Sequence, residues 1–321
     1  MTFAELVASI PQIGLDWHRE TILANSIANA PHIKLTIRDI PPYSIPALII
    51  SAGPSLYREN ILKRLAAILE PEKPEIHLIA TDGAYIQCLK AGILPDFVLT
   101  LDPHPTRMVR WFGDPDYSEN AHEDSYFARQ DLDVRFRENP AQTNAENIRT
   151  VDENLVPLVI CSTAPQNVVA RTSRFLRYWF APLVDSPAVD GLTRAICKAT
   201  GLPALNTGGT VGTAAWCFAR EVLKSPDIAV VGMDMGYYMD TPFDQTQSWN
   251  MLKGENHAEM YPHFHGPMGT AYTDPTYAWY RQNFLDLLAA NDARITNCSE
   301  HGLLYGEGVD IMRLEEWLTN V

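Results

Sequence analysis

The chain lacks any run of lysine and arginine, and its 25 basic side chains are outnumbered by 39 acidic ones, leaving a formal net charge of −14 over 321 residues. A field of that sign repels long anionic polymers, so nucleic acid is a poor partner. Cysteine is sparse: Cys88, Cys161, Cys197, Cys217 and Cys298 are odd in number, scattered, and mostly set in apolar patterns. They read as reduced core thiols of a cytoplasmic protein, not as a disulfide framework or zinc set. No apolar run approaches the length of a membrane span and no signal-peptide pattern is present, so neither membrane spanning nor secretion is expected. The GxGxxG dinucleotide fingerprint and the GxxxxGK phosphate loop are also missing. A nicotinamide-dependent dehydrogenase is therefore ranked low.

What is present is a 46% hydrophobic, 20% charged chain, enough to bury the core of one large or two modest domains. The most informative stretch is Ala47 to Leu56. A continuous apolar run, as in a strand buried on both faces, ends at Ser51-Ala52-Gly53-Pro54-Ser55 and passes into a helical pattern. Gly53 allows unusual backbone angles, Pro54 presets a first helical turn, and the amides of such a turn suit an anion. An ordinary tight turn explains the segment equally well.

Further strands are expected at 76–80, 97–101, 155–161, 177–180, 228–231 and 294–297, with helices at 84–91, after Gly209, at 277–290 and through Trp317. Strands separated by helix-length segments imply crossover connections and a parallel sheet. The expected fold is α/β, a doubly wound, mostly parallel sheet in three parts. Residues 1–45 would form an N-terminal cap of two short helices, 46–240 the main domain with an acidic insertion at 113–154, and 241–321 a lid loop with C-terminal helices.

In such sheets ligands collect beyond the carboxyl ends of the strands, at the switch point of strand order. The residues there are Ser51 to Ser55, Thr81-Asp82-Gly83, Asp102-Pro103-His104, Ser162-Thr163-Ala164 and Gly232-Met233-Asp234. All are small, polar or acidic, although helix caps favour the same residues. Asp82 can cap a helix or meet a ribose or base. Asp102 can hold a cation that carries phosphates or orient His104, itself a candidate acid or base, though more often such a histidine is a surface turn residue. Gly208-Gly209-Thr210 opens a second helix and is read as an anion cradle. Asp234 is placed to meet a ligand hydroxyl, and Tyr237 or Tyr238 to donate a phenol to a phosphate oxygen or to pack a lid. His263 and His265 have metal-like spacing without further ligands to complete a set.

Taken in order, Gly53-Pro54-Ser55-Leu56, Thr81-Asp82-Gly83, Gly92 to Pro103, Gly208-Gly209-Thr210-Val211 and Gly232-Met233-Asp234 resemble the 6-hydroxymethylpterin diphosphokinase MptE-like family, whose bacterial members include motility accessory factors. The turn from Asn297 to Gly302 also resembles the end of the motility-factor domain. The resemblance implies a Rossmann-like fold similar in architecture to bacterial sialyltransferases that use a CMP-sugar. On that footing Gly53, Pro54 and Ser55 line a nucleotide, Asp82 and Asp102 flank it, and Tyr237 or Tyr238 assists departure of CMP. Gly83, Ser51, Ser162, Gly208, Gly209, Thr210 and Asp234 complete the nucleotide set, and His257 is the base for an acceptor hydroxyl.

The leading expectation is a transferase that uses a CMP-activated nonulosonic acid-type sugar, with a protein or glycan acceptor and no tightly bound cofactor. The second is a diphosphokinase that converts ATP to AMP, with a pterin acceptor and Mg²⁺ on Asp102. Phosphoryl transfer of that kind leans on positive charge around the moving group, and neither glycine turn holds a lysine. A third is a non-catalytic nucleotide-binding accessory protein.

Overall fold

The computed structural model describes residues 2–70, 74–117, 138–184, 191–252, 254 and 257–321. Its centre is a parallel sheet in which β2 (Ala47–Ile50), β3 (His77–Thr81), β4 (Phe97–Thr100), β5 (Leu158–Cys161) and β6 (Arg177–Leu183) follow one another outward. On the other side of β2 lie β8 (Ile228–Val231), β12 (Ile295–Asn297) and β13 (Val309–Ile311). Three short strands of this sheet are absent from the sequence reading: β1 (Leu35–Thr36) and β7 (Ala204–Asn206) pair with successive parts of β6, and β13 pairs with β12. Three residues or fewer carry too little periodicity to be recognised.

Every ladder in this sheet is parallel. That explains why the central strands read as unbroken Ala, Leu, Ile and Val: both faces are covered. Leu48, Ile50, Leu78, Val98 and Ile160 point into one apolar layer, beneath the helices Ile61–Leu69, Asp82–Lys90 and Leu314–Asn320. Ala47, Ile49, Ile79, Leu99 and Val159 face the opposite layer, with the helices Val211–Phe218 and Pro275–Ala290. Strand order reverses between β2 and β8, which makes that boundary the switch point of a Rossmann-like α/β fold.

Two regions differ from expectation. The N-terminal cap is one 27-residue helix, Phe3–Asn29, opened by a Thr2–Glu5 capping box and continuous through Pro11, so the weak second periodicity belonged to the same helix. The lid is not a structureless loop. Its strands β9 (Tyr237–Tyr238), β10 (His263–Gly266) and β11 (Gly269–Tyr272) form an antiparallel sheet, and short alternations dominated by His, Gly and Tyr hide that pattern from sequence. Of the acidic insertion, residues 118–137 lie outside the described residues, whereas Pro140–Glu153 is a helix that buries Val151. All five cysteines are free thiols. No helix among the described residues is long and apolar enough to cross a membrane.

Candidate functional site

The Gly53 turn and the helix start that follows Gly208-Gly209 meet at the carboxyl end of β2. The β ladder between β2 and β8 continues past the strands, through Ser51 N–H to the Val231 carbonyl at 2.9 Å and Gly53 N–H to the Gly232 carbonyl at 2.7 Å. A Cβ on Gly53 would lie 2.4 Å from the Gly232 oxygen, and one on Gly212 would lie 2.9 Å from Ser51 Oγ. Glycine at both positions therefore allows the Ser51–Ser55 turn, the Gly232–Asp234 turn and the start of the helix Val211–Phe218 to meet. Ser51 Oγ is buried there without a hydrogen-bond partner, which leaves it able to bond an incoming group.

Asp234 does not face outward as the sequence reading placed it. Its Oδ2 accepts the Ser55 N–H at 2.8 Å, its Oδ1 accepts the Ser55 hydroxyl at 2.5 Å, and the residue is 3% exposed. It is a latch on the Gly53-Pro54-Ser55 turn. Ser55 is fully buried, so Gly53 and Pro54 present the turn outward. Ser162 is likewise corrected, because its hydroxyl bonds Ser26 at 2.9 Å and its carbonyl accepts from Asn29 at 2.8 Å. It anchors the N-terminal helix.

Asp82, on the neighbouring strand end, accepts from Thr100 Oγ1 at 2.8 Å and from Gly83 N–H at 2.7 Å. It is the first residue of its helix, after Thr81, which makes no side-chain cap bond, so the Asp82 carboxylate itself serves a helix-start amide while its other oxygen holds Thr100. Burial pushes Asp82 and Asp234 each up to about 7, against the hydrogen bonds they accept. A carboxyl raised in the folded state stabilises fully below its ordinary value of about 4 and loses that contribution as pH climbs through 7. Burial shifts the His18 and His301 imidazoles downward, which acts in the opposite sense near pH 6. The readout is therefore the difference between wild type and Asp82→Asn or Asp234→Asn in urea unfolding at pH 5, 6.5 and 8. Each variant is expected to lose ground to wild type at pH 5 and to recover it by pH 8. A gap that does not narrow with pH contradicts the assignment.

Asp102, beyond β4, pairs with the Arg107 guanidinium and accepts the His104 N–H at 2.8 Å. His104 Nδ1 lies 2.9 Å from Thr106 Oγ1. Sequence reading missed Arg107, because a lone arginine after a proline turn has no motif. It also missed His18, which senses Asp102, His104 and Arg107 electrostatically from the N-terminal helix.

Thr210 caps the helix Val211–Phe218 by accepting the Thr213 N–H at 3.0 Å. Gly208 (φ +53°) and Gly209 (φ +84°) take left-handed angles, and Asn283 bonds the Gly208 carbonyl at 2.8 Å. The expected cradle is thus a closed cap: Gly208 N–H donates to Asn206 Oδ1 at 3.0 Å and Thr210 N–H to the Thr207 carbonyl at 3.1 Å, and it is Gly212 that lies against Ser51.

The tyrosine pair divides. Tyr237 is buried, donates to Asp274 at 2.8 Å and accepts the Gln247 N–H at 2.7 Å. Its ring stacks on Tyr272 and Tyr277. Tyr237 is buried within the lid whereas Tyr238 is partly exposed, so of the two it is Tyr238 that keeps a face toward solvent. The half-buried Tyr238 donates to Glu59 at 2.7 Å, lies under the Arg58 guanidinium and stacks on His301. His301 belongs to the Asn297–Gly302 turn; its Nδ1 is buried without a partner, while the ring bonds the Thr270 backbone. His257 opens the short helix His257–Met260, but its side chain lies outside the described residues. His263 and His265 alternate on the exposed strand β10, and the described residues contain no cluster of three metal-ligating side chains.

These features define a Rossmann-like α/β protein whose small polar turns surround the β2/β8 switch point. Residues 21–120 match the family model described as 6-hydroxymethylpterin diphosphokinase MptE-like. The match contains the Gly53 turn, Asp82, Asp102 and Arg107, and ends before the Gly208 and Asp234 turns. No curated protein matches in sequence. Among solved structures, a MAf glycosyltransferase from Magnetospirillum magneticum AMB-1 is similar in fold, with a TM-score of 0.57 at 14% identity. The similarity covers 91% of this chain and 37% of that one, so the chain spans little more than a third of that enzyme's length.

Proposed function

We propose that this protein is a nucleotide-dependent transferase of the motility accessory factor type, moving a sugar from a CMP-activated nonulosonic acid-type donor to a hydroxyl acceptor. The observation that carries the reading is the meeting of two glycine turns at the β2/β8 boundary, with Ser51 Oγ buried and unpaired between them. The fold likeness to a glycosyltransferase and the MptE-like match support it.

In this reading Gly53, Pro54 and the Ser51 hydroxyl hold the nucleotide, and Arg107, held in place by Asp102, meets phosphate charge. The acceptor oxygen attacks the sugar carbon, the bond from that carbon to the phosphate oxygen breaks, and CMP leaves. The hydroxyl proton passes to a base, the place assigned to His257, while Tyr238 lies beside the leaving group. The kinase reading needs Mg²⁺ at Asp102. A guanidinium already in contact with that carboxylate, backed by the hydrogen-bonded Asp82, is a poor donor set for a hard dication, which wants several free oxygens.

Thermal shifts with CMP, CTP, ATP and GTP, with and without Mg²⁺, test the proposal. A metal-independent rise with CMP is the expected result, and a rise only with ATP plus Mg²⁺ transfers the assignment to the diphosphokinase. No response to any nucleotide removes both. Asp102→Ala frees Arg107 from its position and is expected to weaken CMP binding about tenfold, the scale of a charge-assisted contact. Unchanged affinity by calorimetry takes Asp102 out of the site.

A further inference from the structure

The N-terminal helix crosses the carboxyl ends of the strands. At one end Ser26 and Asn29 bond the Ser162 turn beyond β5, and Asn25 bonds the Thr163 carbonyl. At the other, Leu6 joins Tyr237, Tyr261 and Tyr272 in the apolar centre of the lid. A helix of 27 residues is roughly 40 Å long. That length spans the distance from β5 to the lid, since the four strand spacings from β5 to β8 amount to roughly 19 Å.

Residues 18, 22, 25, 26 and 29 recur at the helical interval and share one face. Ile22, in the middle of that face, enters the apolar layer below, and Asn25, Ser26 and Asn29 bond strand-end atoms. The same face therefore carries His18 toward the sheet edge, about 12 Å along the axis from Ser26. The loop of Asp102, His104 and Arg107 follows β4, the strand next to β5, and is tied to this helix: Asn25 bonds the Thr163 carbonyl, and Thr163 Oγ1 donates at 2.7 Å to the carbonyl of Leu101, the residue before Asp102.

We propose that His18 completes an anion-binding group with Arg107 and His104, so that the N-terminal helix supplies the phosphate end of the site and tightens it when His18 takes up a proton. The proposal deepens the nucleotide reading and rests on it for the nucleoside part alone. The charged groups facing His18 are Asp102, which favours its cation, and His104 and Arg107, which oppose it. Asp82 lies behind Asp102, and Arg19 and Glu20 flank it on its own helix. Burial holds the imidazole below its ordinary range. In the free protein His18 is thus neutral at pH 7, and an arriving anion draws a proton onto it. By linkage, affinity rises as pH falls.

Calorimetry on the full chain with CMP and with inorganic pyrophosphate, at pH 6 and pH 8, tests this. Wild type is expected to bind both more tightly at pH 6. His18→Gln is expected to lose about tenfold at pH 6 and little at pH 8. His18→Lys, with a fixed charge, is expected to hold the tight affinity at both. The ligands' own titration is common to all three proteins and cancels. A His18→Gln protein that melts like wild type and keeps the full pH response overturns the proposal, as does failure of both probes to bind. Pyrophosphate binding with this pH response, without any added affinity for CMP, sustains the anion group and overturns the nucleotide reading.

Discussion

Gly232→Ala is expected to destabilise the protein by about 3–4 kcal/mol and to abolish nucleotide binding. Gly232 has φ +70°, and an added Cβ would lie 2.1 Å from the Ser51 carbonyl oxygen and 3.4 Å from Gly53 N. A side chain in left-handed backbone costs about 1–2 kcal/mol, and forcing atoms into a packed interior typically adds about 1–3 kcal/mol. The displaced backbone belongs to the turn that Asp234 latches, so the distortion reaches Gly53 and Ser55 directly. Gly92→Ala separates the two costs. Gly92 has a similar φ of +78° with nothing within 4 Å of an added Cβ, so that variant should lose only the backbone share. Equal urea midpoints for the two variants would show that close approach of the β2 and β8 turns contributes nothing.

Asp274→Ala is expected to open the lid. Asp274 is fully buried and accepts from Tyr237 OH at 2.8 Å, Ser248 N–H at 2.9 Å and Tyr277 N–H at 2.8 Å. Removing the carboxylate orphans three buried donors and uncaps the helix Pro275–Ala290. Each buried donor left unsatisfied costs about 1–3 kcal/mol, so a loss on the order of 4 kcal/mol follows, concentrated in the lid. Hydrogen exchange should accelerate in β10 and β11 and in the Gln247–Leu252 segment while β2, β3 and β8 keep their protection. Asp274→Asn keeps one acceptor for the helix cap and should cost less. Unchanged exchange in β10 and β11 would mean that the lid is held by the apolar contacts of Leu6, Tyr261 and Tyr272 alone.

The main sheet was readable because its strands are buried on both faces. Ala47–Ile50, His77–Thr81, Leu158–Cys161 and Ile228–Val231 announce themselves as short apolar runs ending at small polar turns. The helix at Val211 followed from the glycine pair and the amphipathic run, whereas Thr210, expected in an anion cradle, caps that helix. What escaped were elements whose stabilisation is not local. β1 and β7 exist by pairing with the longer β6 and β13 by pairing with β12, and the lid strands owe their order to tyrosine packing and to Asp274. At the site, the turns were found in their correct setting at the strand ends, but the direction of individual side chains was not. Asp234, Ser162 and Tyr237 have polar groups that sequence alone allowed to face a ligand. Each is instead bonded to a residue distant in the chain: Ser55, Ser26 and Asp274 respectively.

The amino-acid order by itself determined that this chain builds a parallel α/β sheet with small polar turns at its carboxyl edge, because periodicity and glycine placement act over a few residues. Only the folded arrangement decided which of those turns touch, which carboxylates are spent as latches, and that the N-terminal helix is bonded to the turn beyond β5. Those outcomes depend on hydrogen bonds and burial between segments tens to hundreds of residues apart, and no local pattern encodes such meetings.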